Sequence, residues 1–309
     1  SCSFMANGAS TYEGVASGVV SANTKGASIS FSFGPVYTPP STMPQGSIQI
    51  TAEYNGAVMS QCTGSVTGIT AGALTGPVFT PVVSTVNTQS VGTLQFTVNT
   101  NIVSTDTIMV VFPVEMGLSG LSQVYLPSTN QYLVPTVATQ QVNISGAIAQ
   151  AGASLQMVFT KFTNPPSEWP TSVFQVTTTR AGYPMDSLAA SFTYSASRAT
   201  ITSAAVSAAS LQIGATTTYT LQFTLGQPLT ASSAIVVGLP TVFQGKVGGC
   251  SPTPCSVATA AVTFTSVPTS SGSTFLCSLT SVVNPLTIGA TPSLSLYSLY
   301  YSSRPSSYT

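Results

Sequence analysis

The sequence has very few charged residues and no histidine. Only 4% of its 309 residues are charged, six basic and six acidic, whereas an ordinary globular chain has about 25%. Scattered charges that sum to zero exclude the basic stripe that nucleic-acid binding requires. Histidine is the commonest general base and metal ligand. Its absence leads us to expect no metal site and no cofactor.

Long apolar runs are also absent, although 43% of the residues are hydrophobic and the mean hydropathy is +0.38. Ser, Thr, Gly and Asn interrupt every run before the roughly 18 to 20 apolar residues that a membrane span needs. Disorder is excluded as well, because the chain has 12 Tyr, 14 Phe and abundant Val, Ile and Thr. These residues favour β-strands, so the composition predicts an all-β protein.

Five cysteines are too few for a fold that depends on disulfides. Cys250 and Cys255 flank a short loop with two prolines, which favours a disulfide in an extracellular protein. Cys62 could pair with Cys2, or Cys277 could replace either partner of the first pair. The sequence leaves these pairings open.

Two segments of the chain are copies of one β-unit. Residues 94–113 read LQFTVNTNIVSTDTIMVVFP and residues 221–240 read LQFTLGQPLTASSAIVVGLP, an offset of 127 residues. Asn164-Pro165 and Asn284-Pro285 form a second matched pair, at an offset of 120 residues. Self-similarity of this kind indicates a tandem array. The shorter offset indicates that the later copy has lost about seven residues from its loops.

The repeats predict an all-β fold of tandem Ig-like β-sandwich domains. Residues 80–200 and residues 201–309 each have the length and the strand spacing of one sandwich. Residues 1–79 hold an N-terminal extended segment and a reduced β-sandwich, in which Phe33 corresponds to Phe96.

The two ends of the sequence do not match. The second module is predicted to turn at residues 182–186 and to finish with a strand at residues 190–195, whereas the third has only residues 297–309 after its strand at residues 294–296. A sandwich without its last strand exposes unpaired backbone groups and an open core. We therefore expect a donor strand from another copy, as in donor-strand complementation. The alternative is that residues 297–309 make the last strand and that residues 1–18 are a tail.

The candidate residues for this contact follow from the same comparison. Tyr12, Val15 and Val19 are the donor-strand candidates. Leu294, Leu296 and Leu299 are the candidates for the acceptor groove. Because such a contact is head-to-tail and need not close, it would propagate into a filament with the chain itself as partner.

The residue pattern predicts no enzyme. The six carboxylates lie far apart in the sequence, so a glycosidase pair is disfavoured. Glu168-Trp169 is the cluster that would suit sugar stacking, but we favour a structural role in which Trp169 caps the end of the sandwich. Lys161 near Asn164 is similar to the Lys-Asn isopeptide of Gram-positive pilins, a minor alternative.

One sequon predicts covalent modification. Asn143-Ile144-Ser145 is an acceptor for N-glycosylation, which would place it on the surface of a secreted protein. A surface with so few charges also requires another source of solvation, since neutral surfaces tend to associate.

The ordered pattern of the modules resembles the tandem Ig-like modules of large protist surface proteins and extracellular fibre glycoproteins. It comprises a Phe-x-Phe-like strand, an Ile-x-Val strand ending at Pro, a Cys pair, and Asn-Pro with a following Phe-x-Val strand. The resemblance covers residues 80–309 well and residues 1–79 poorly. It implies an extracellular, glycosylated, non-enzymatic role, and the open-ended architecture resembles pilin-type polymerisation. The expected function is a structural filament subunit, with a cell-surface adhesin or carbohydrate-binding ectodomain as the alternative.

Overall fold

A computed structural model describes residues 2–6, 12–16, 39–43, 47–54, 57–65, 69–188, 190–229, 232–265, 270, 272–286 and 293–300. Apart from one turn of 3₁₀ helix at Thr241–Phe243, the regular elements of these residues are β-strands. Within these residues no helix has the length and hydrophobicity to cross a membrane. The chain divides into two compact units, Ser1–Thr38 and Pro39–Thr309.

The first unit contains a pair of antiparallel strands. These are β1 (Cys2–Ala6) and β2 (Tyr12–Ala16). Cys2 lies opposite Ala16, and Ala6 lies opposite Tyr12.

The second unit begins with another antiparallel pair, β3 (Ser47–Tyr54) and β4 (Ala57–Ser65). Two β-sandwiches follow, which we call module 2 and module 3. The all-β fold of tandem Ig-like sandwiches is confirmed.

Module 2 is a sandwich of two layers. Its strands are β5 (Gly72–Pro81), β6 (Gln89–Thr97), β7 (Thr107–Val111), β8 (Val124–Leu126), β9 (Gln131–Leu133), β10 (Thr136–Ala138), β11 (Gln141–Ser145), β12 (Ser154–Thr163), β13 (Gln175–Arg180) and β14 (Tyr183–Leu188). One layer has the order β10-β11-β7-β13-β14 and the other β5-β6-β12-β8-β9. β14 pairs in parallel with β5 and so joins the layers along one side.

Module 3 repeats this arrangement with fewer strands. They are β15 (Thr202–Ala208), β16 (Thr216–Thr224), β17 (Ser233–Gly238), β18 (Gly249–Ser251), β19 (Cys255–Val257), β20 (Ala261–Thr265), β21 (Thr274–Val283) and β22 (Ser295–Tyr300). Its layers have the orders β15-β16-β21-β18 and β19-β20-β17-β22.

The two modules share one strand register. Gly92 lies opposite Phe159 in module 2, and Tyr219 lies opposite Leu279 in module 3, which are the same positions at offsets of 127 and 120 residues. Each long central pair then has a bulge at the same place, before Phe162 in one module and Val282 in the other. Positions in the two modules can therefore be compared one to one.

Each module has its own core, built by alternation along the strands. In β6 the even-numbered residues are buried and the odd-numbered ones face outward or are half-buried, as expected for a strand that covers a core on one face. The core of module 2 extends from Leu74 to Val176 in the sequence, and that of module 3 from Leu221 to Val282. The first strand of module 2 starts at Gly72, so the predicted boundary at residue 80 falls inside β5.

Two details of the predicted end of module 2 are wrong. The turn expected at residues 182–186 is confined to Ala181 and Gly182, both of which have positive φ, and strand β14 follows immediately. Residues 190–195 do not form a regular strand. They are extended and make one isolated bridge, between Phe192 and Phe174, because β14 already occupies the edge of β13.

Candidate functional site

Four carboxylates of the second unit, Asp106, Glu115, Glu168 and Asp186, have structural partners. Asp186 is buried and accepts hydrogen bonds from the backbone N–H groups of Asn99 and Thr100 at 3.2 and 2.9 Å, and from the Thr100 hydroxyl at 2.8 Å. Glu115 accepts from the N–H and hydroxyl of Ser172. Glu168 forms an exposed ion pair with Arg198 at 2.6 Å.

Asp106 forms the buried end of an ion pair. Its Oδ2 lies 2.7 Å from Arg180 Nη2, and it also accepts a hydrogen bond from the Val103 N–H at 2.8 Å. Burial acts to raise the pKa of Asp106, but the hydrogen bonds from Arg180 and Val103 and the Arg180 charge outweigh it, so the pKa is lowered. In module 3 the equivalent position is Ser233, so this pair belongs to module 2 alone.

The cysteines fall into three environments. Cys250 and Cys255 form a disulfide across the loop between β18 and β19. Cys277 is a free thiol in the core of module 3, where burial raises its pKa to about 12, whereas Cys62 is exposed on β4. The side chain of Cys2 lies outside the described residues, so the pairing of Cys2 with Cys62 stays a prediction. Among the described residues no three His, Cys, Asp or Glu side chains cluster as metal ligands.

Asn143 lies on the outer face of module 2. It sits on β11 between β10 and β7, opposite Thr136 and Met109, while its neighbours Val142 and Ile144 point into the core. Its Oδ1 accepts a hydrogen bond from Gln141 at 2.9 Å. Asn143 borders an open concavity of about 510 Å³ that is lined largely by hydroxyl and amide side chains.

Trp169 and Lys161 are surface residues of module 2. The Trp169 side chain is 51% exposed. Lys161 is exposed and lies close to Gly120, while the Asn164 amide donates to the carbonyls of Val83 and Thr85 at 2.7 and 2.8 Å. The two side chains of the alternative isopeptide therefore have different neighbours.

Module 3 carries an apolar groove on the side that β14 closes in module 2. Among the described residues β15 pairs only with β16 and β22 only with β17, so each has an open backbone edge. The groove has a volume of about 430 Å³. It is lined by Ala204, Val206, Tyr219, Leu239, Phe243, Val247, Leu279, Val282, Ser293, Leu294 and Leu296.

Five of these lining residues replace phenylalanines of module 2. Val206, Leu239, Leu279, Val282 and Leu294 stand where module 2 has Phe79, Phe112, Phe159, Phe162 and Phe174. The phenylalanines form one network of ring contacts; Phe79, for example, lies 5.3 Å from Phe162 and 5.0 Å from Phe174. The smaller residues leave this side of module 3 more exposed to solvent. Phe79 is 9% exposed, whereas its equivalent Val206 is 49% exposed.

In module 2 a segment of the same chain covers this network. Phe192 stacks on Phe174 with ring centroids 4.7 Å apart, and Tyr194 packs against Phe79 at 5.7 Å. Backbone bonds fix the segment, from the Phe174 N–H to the Phe192 carbonyl at 2.9 Å and from the Thr171 N–H to the Tyr194 carbonyl at 2.8 Å. No described residues occupy the equivalent place in module 3.

A buried asparagine holds the neighbouring loops in both modules. Asn284 donates to the carbonyls of Ser210 and Gln212 at 3.1 and 2.8 Å, as Asn164 does at the equivalent positions of module 2. Tyr219 also donates to Asn284 Oδ1 at 2.8 Å, whereas Asn164 Oδ1 has no hydrogen-bond partner in the part of the chain that the structure describes. The groove is thus an opening in a sandwich whose frame matches that of module 2.

Packing explains why Asn164 has no tyrosine partner of the kind that Asn284 has. Gly92 occupies the Tyr219 position in module 2, and a Cβ there would lie 2.8 Å from Phe79 and 2.7 Å from Phe162. Valines at both equivalent positions of module 3 leave room for the tyrosine ring. Module 3 therefore has an aromatic ring on β16, at Tyr219, and valines at the two positions where module 2 has Phe79 and Phe162.

Apolar exposure continues beyond the groove at the adjacent end of module 3. Leu211 is 83% exposed, Ile213 52% and Leu286 76%. At the corresponding end of module 2, Val86 is only 4% exposed, and its N–H donates to the carbonyl of Ser197 in the covering segment.

The predicted acceptor and donor residues are only partly described. Leu294 and Leu296 line the groove, while the side chain of Leu299 on β22 lies outside the described residues. Tyr12 and Val15 lie on β2, and Val19 is outside the described residues. Sequence reasoning missed Val206, Tyr219 and Phe243; aligning the modules by their two offsets would have found them.

Comparison with known proteins gives no family for this chain. No protein-family model matches it, and no curated protein matches it. The resemblance to protist fibre glycoproteins therefore has no support from relatives.

Solved structures give distant matches only. The BSP domain of a biofilm associated protein has 8% identity and a TM-score of 0.29, and the match covers 71% of this chain and 52% of that one. The B domain of a biofilm associated protein has 6% identity and a TM-score of 0.28, with 70% and 73% covered. The type II cohesin dyad from the adaptor ScaA scaffoldin of Acetivibrio cellulolyticus has 9% identity and a TM-score of 0.22, with 76% and 89% covered.

The chain thus spans about half the length of the first of these structures. Likeness at this level is common among β-sandwiches of unrelated function. Function therefore has to be argued from the residues of this chain.

Proposed function

We propose that this chain is a structural subunit of an extracellular filament, in which an extended segment of one copy completes module 3 of the next. The groove between β15 and β22 carries the proposal. It lies where module 2 is closed by β14 and by residues 190–197, and its walls are apolar.

An added strand would cover both the open backbone edges of β15 and β22 and the apolar groove between them. Open edges present unpaired N–H and C=O groups, which folded proteins normally cover or protect. An added strand pairs with these groups and places alternate side chains in the groove. Burying one large apolar side chain contributes about 1.5–3 kcal/mol before the ordering of the segment is counted.

The same contact explains why a filament would form. The acceptor is on module 3, and we place the donor in the unit Ser1–Thr38 of the next copy, where Tyr12, Val15 and Val19 are the first candidates. A contact between two different surfaces is heterologous and extends into an open assembly unless it closes into a ring.

The composition supports an extracellular setting. A disulfide at Cys250–Cys255 is typical of oxidising compartments. A chain with 4% charged residues has little electrostatic solvation, so we propose that glycans, with Asn143 as the N-linked site, supply it.

A matched pair of valine variants tests the function. Val206→Lys puts a charge at the groove, whereas Val257→Lys puts the same charge on β19, the edge strand of the other layer, where the valine is 39% exposed. We expect large assemblies for the wild type and for Val257→Lys, and monomers for Val206→Lys, by light scattering and electron microscopy. Circular dichroism melts would establish that both variants fold.

Two results would contradict the filament proposal. One is a wild-type chain that stays monomeric at high concentration without denaturant. The other is normal assembly of Val206→Lys.

The second candidate is a carbohydrate-binding or adhesive ectodomain. The concavity beside Asn143 favours it, since its hydroxyl and amide lining suits a neutral polar ligand. A monomeric wild type that binds a glycan array, with binding lost in Gln141→Ala, would select this function instead.

A further inference from the structure

We infer that the strand that enters the module 3 groove is residues 30–33 of a second copy, with Phe31 and Phe33 as the two inserted side chains. This inference rests on the proposed function and names its donor. The structure does not describe residues 30–33, and the inference depends on how the chain closes module 2.

Module 2 shows what the closing segment needs. Phe192 and Tyr194, two residues apart, enter the aromatic network side by side. The residue between them, Thr193, lies on the other face, as the alternation of an extended chain requires. Small residues on both sides allow close approach, since Ser191 precedes the pair and Ser195 follows it.

The sequence contains this pattern twice. Residues 191–194 read Ser-Phe-Thr-Tyr, and residues 30–33 read Ser-Phe-Ser-Phe. Serine followed by Phe, a hydroxyl residue and a second aromatic occurs nowhere else in the 309 residues. Residues 30–33 thus match the segment that closes module 2, and no described site accounts for them. Module 3 has a groove at the equivalent place, and no described segment closes it.

The first donor candidates fit the groove less well. Tyr12 and Val15 are three residues apart, so a regular strand places them on opposite faces. Val15 and Val19 are four residues apart, but two valines offer little volume to a groove of about 430 Å³. A phenylalanine buries roughly 150–250 Å², so two rings suit a wall where five phenylalanines have become leucine or valine.

Position by position, the inferred contacts follow module 2. Phe31 takes the place of Phe192 and packs on Leu294, the equivalent of Phe174. Phe33 takes the place of Tyr194 and packs on Val206, the equivalent of Phe79. Residues 34–37, which read Gly-Pro-Val-Tyr, then run toward the exposed Leu211 and Ile213.

A complementation experiment on the full chain tests the donor. One variant carries Phe31→Ser and Phe33→Ser, which removes the two inserted aromatic side chains and leaves the groove intact. The other carries Val206→Lys, which places a charge in the groove and leaves the donor segment intact. Each variant alone should be monomeric, and their mixture should stop at a 1:1 dimer, because only one functional junction remains.

Synthetic peptides separate a donor role from a folding role. A fluorescent peptide of residues 27–37 should bind the Phe31→Ser/Phe33→Ser chain, and serines at both aromatic positions of the peptide should weaken binding on the order of 30-fold or more. Binding should survive Val257→Lys in the chain and fail with Val206→Lys. Hydrogen exchange should show new protection in β15 and β22.

The outcomes distinguish the two levels of the proposal. Normal assembly of the Phe31→Ser/Phe33→Ser chain, or binding of a peptide of residues 10–20 in place of residues 27–37, overturns this donor while the filament stands. Failure of both peptides to bind also overturns this donor. A monomeric wild type overturns the filament itself.

Discussion

Gly92→Ala should destabilise module 2, against the usual effect of this substitution. Glycine in a strand interior is normally a weak residue, and alanine is more stable there by roughly 0.5–1 kcal/mol. At Gly92, however, the added Cβ would lie 2.7 Å from Phe162 Cε1 and 2.8 Å from Phe79 Cζ. Carbon atoms prefer separations of about 3.5–4.0 Å, so both rings would have to shift by most of an ångström.

The rings have little freedom to shift. Phe162 is fully buried, and Phe79 also contacts Phe112, Phe174 and Tyr194. Overpacking of this kind costs about 1–3 kcal/mol. In a domain of this size that loss lowers Tm by roughly 4–12 °C.

Trp169 makes the measurement specific. It is the single tryptophan of the chain and lies in module 2, so its emission follows the unfolding of that module. Gly64→Ala is the control, because nothing lies within 4 Å of a Cβ at Gly64. A Gly92→Ala variant as stable as the wild type would refute the packing argument.

A double-mutant cycle gives the cause. Phe79→Val introduces the residue that module 3 has at this position and removes one of the two clashes. The double variant should then be less destabilised than the two single variants together predict, with a coupling of roughly 0.5–3 kcal/mol. Simple additivity would mean that Phe79 is not the group that Gly92 accommodates.

Two further predictions concern charge and modification. Because the folded pKa of Asp106 lies below its ordinary value of 3.8, its stabilising effect should be complete above that pH and lost as the pH falls through the folded pKa; the difference in Tm between wild type and Asp106→Asn should therefore shrink in acid, and a constant difference from pH 7 to about pH 2 would contradict this. The natural protein should carry sugar, and Asn143→Gln should remove the N-linked part of its intact mass; a wild-type mass equal to that of the polypeptide less disulfide hydrogens would refute the proposal of glycosylation.

The sequence repeats were sufficient to locate the long central strands of both modules. LQFT marks β6 and β16, and the Asn-Pro pairs mark the ends of β12 and β21. These segments are predictable because strands buried on one face keep their period and their relative spacing. The residues by which module 3 is shorter than module 2 fall mainly between the equivalents of β8 and β10. There module 3 has the Cys250–Cys255 loop in place of strand β9.

Strand β14 was not predictable from local sequence. Tyr183-Pro184-Met185-Asp186 contains a proline and an aspartate, both of which are rare in strands. The strand forms because Asp186 binds the backbone at Asn99 and Thr100 and because β14 pairs with β5, more than a hundred residues earlier. Contacts over such a separation leave no periodic signal in the segment itself.

The groove was predictable only in part for the same reason. Leu294 and Leu296 follow from the position of the last strand, but Val206 and Tyr219 lie on strands that read as ordinary β-structure. Their significance emerges only when each is compared with its partner in module 2, Phe79 and Gly92.

The phenylalanines of the module 2 core that module 3 replaces lie where a closing segment would bind. Several core positions outside the groove keep the same residue: Phe96 corresponds to Phe223, Ile108 to Ile235 and Val142 to Val262, and all six are buried. The five Phe to Leu or Val changes, in contrast, all line the groove. A module that only tolerated an open side would be expected to fill it from within, yet the aromatic residues that module 3 gains at the groove, Tyr219 and Phe243, leave Val206 half exposed. This distribution favours a groove shaped for large side chains supplied by another segment.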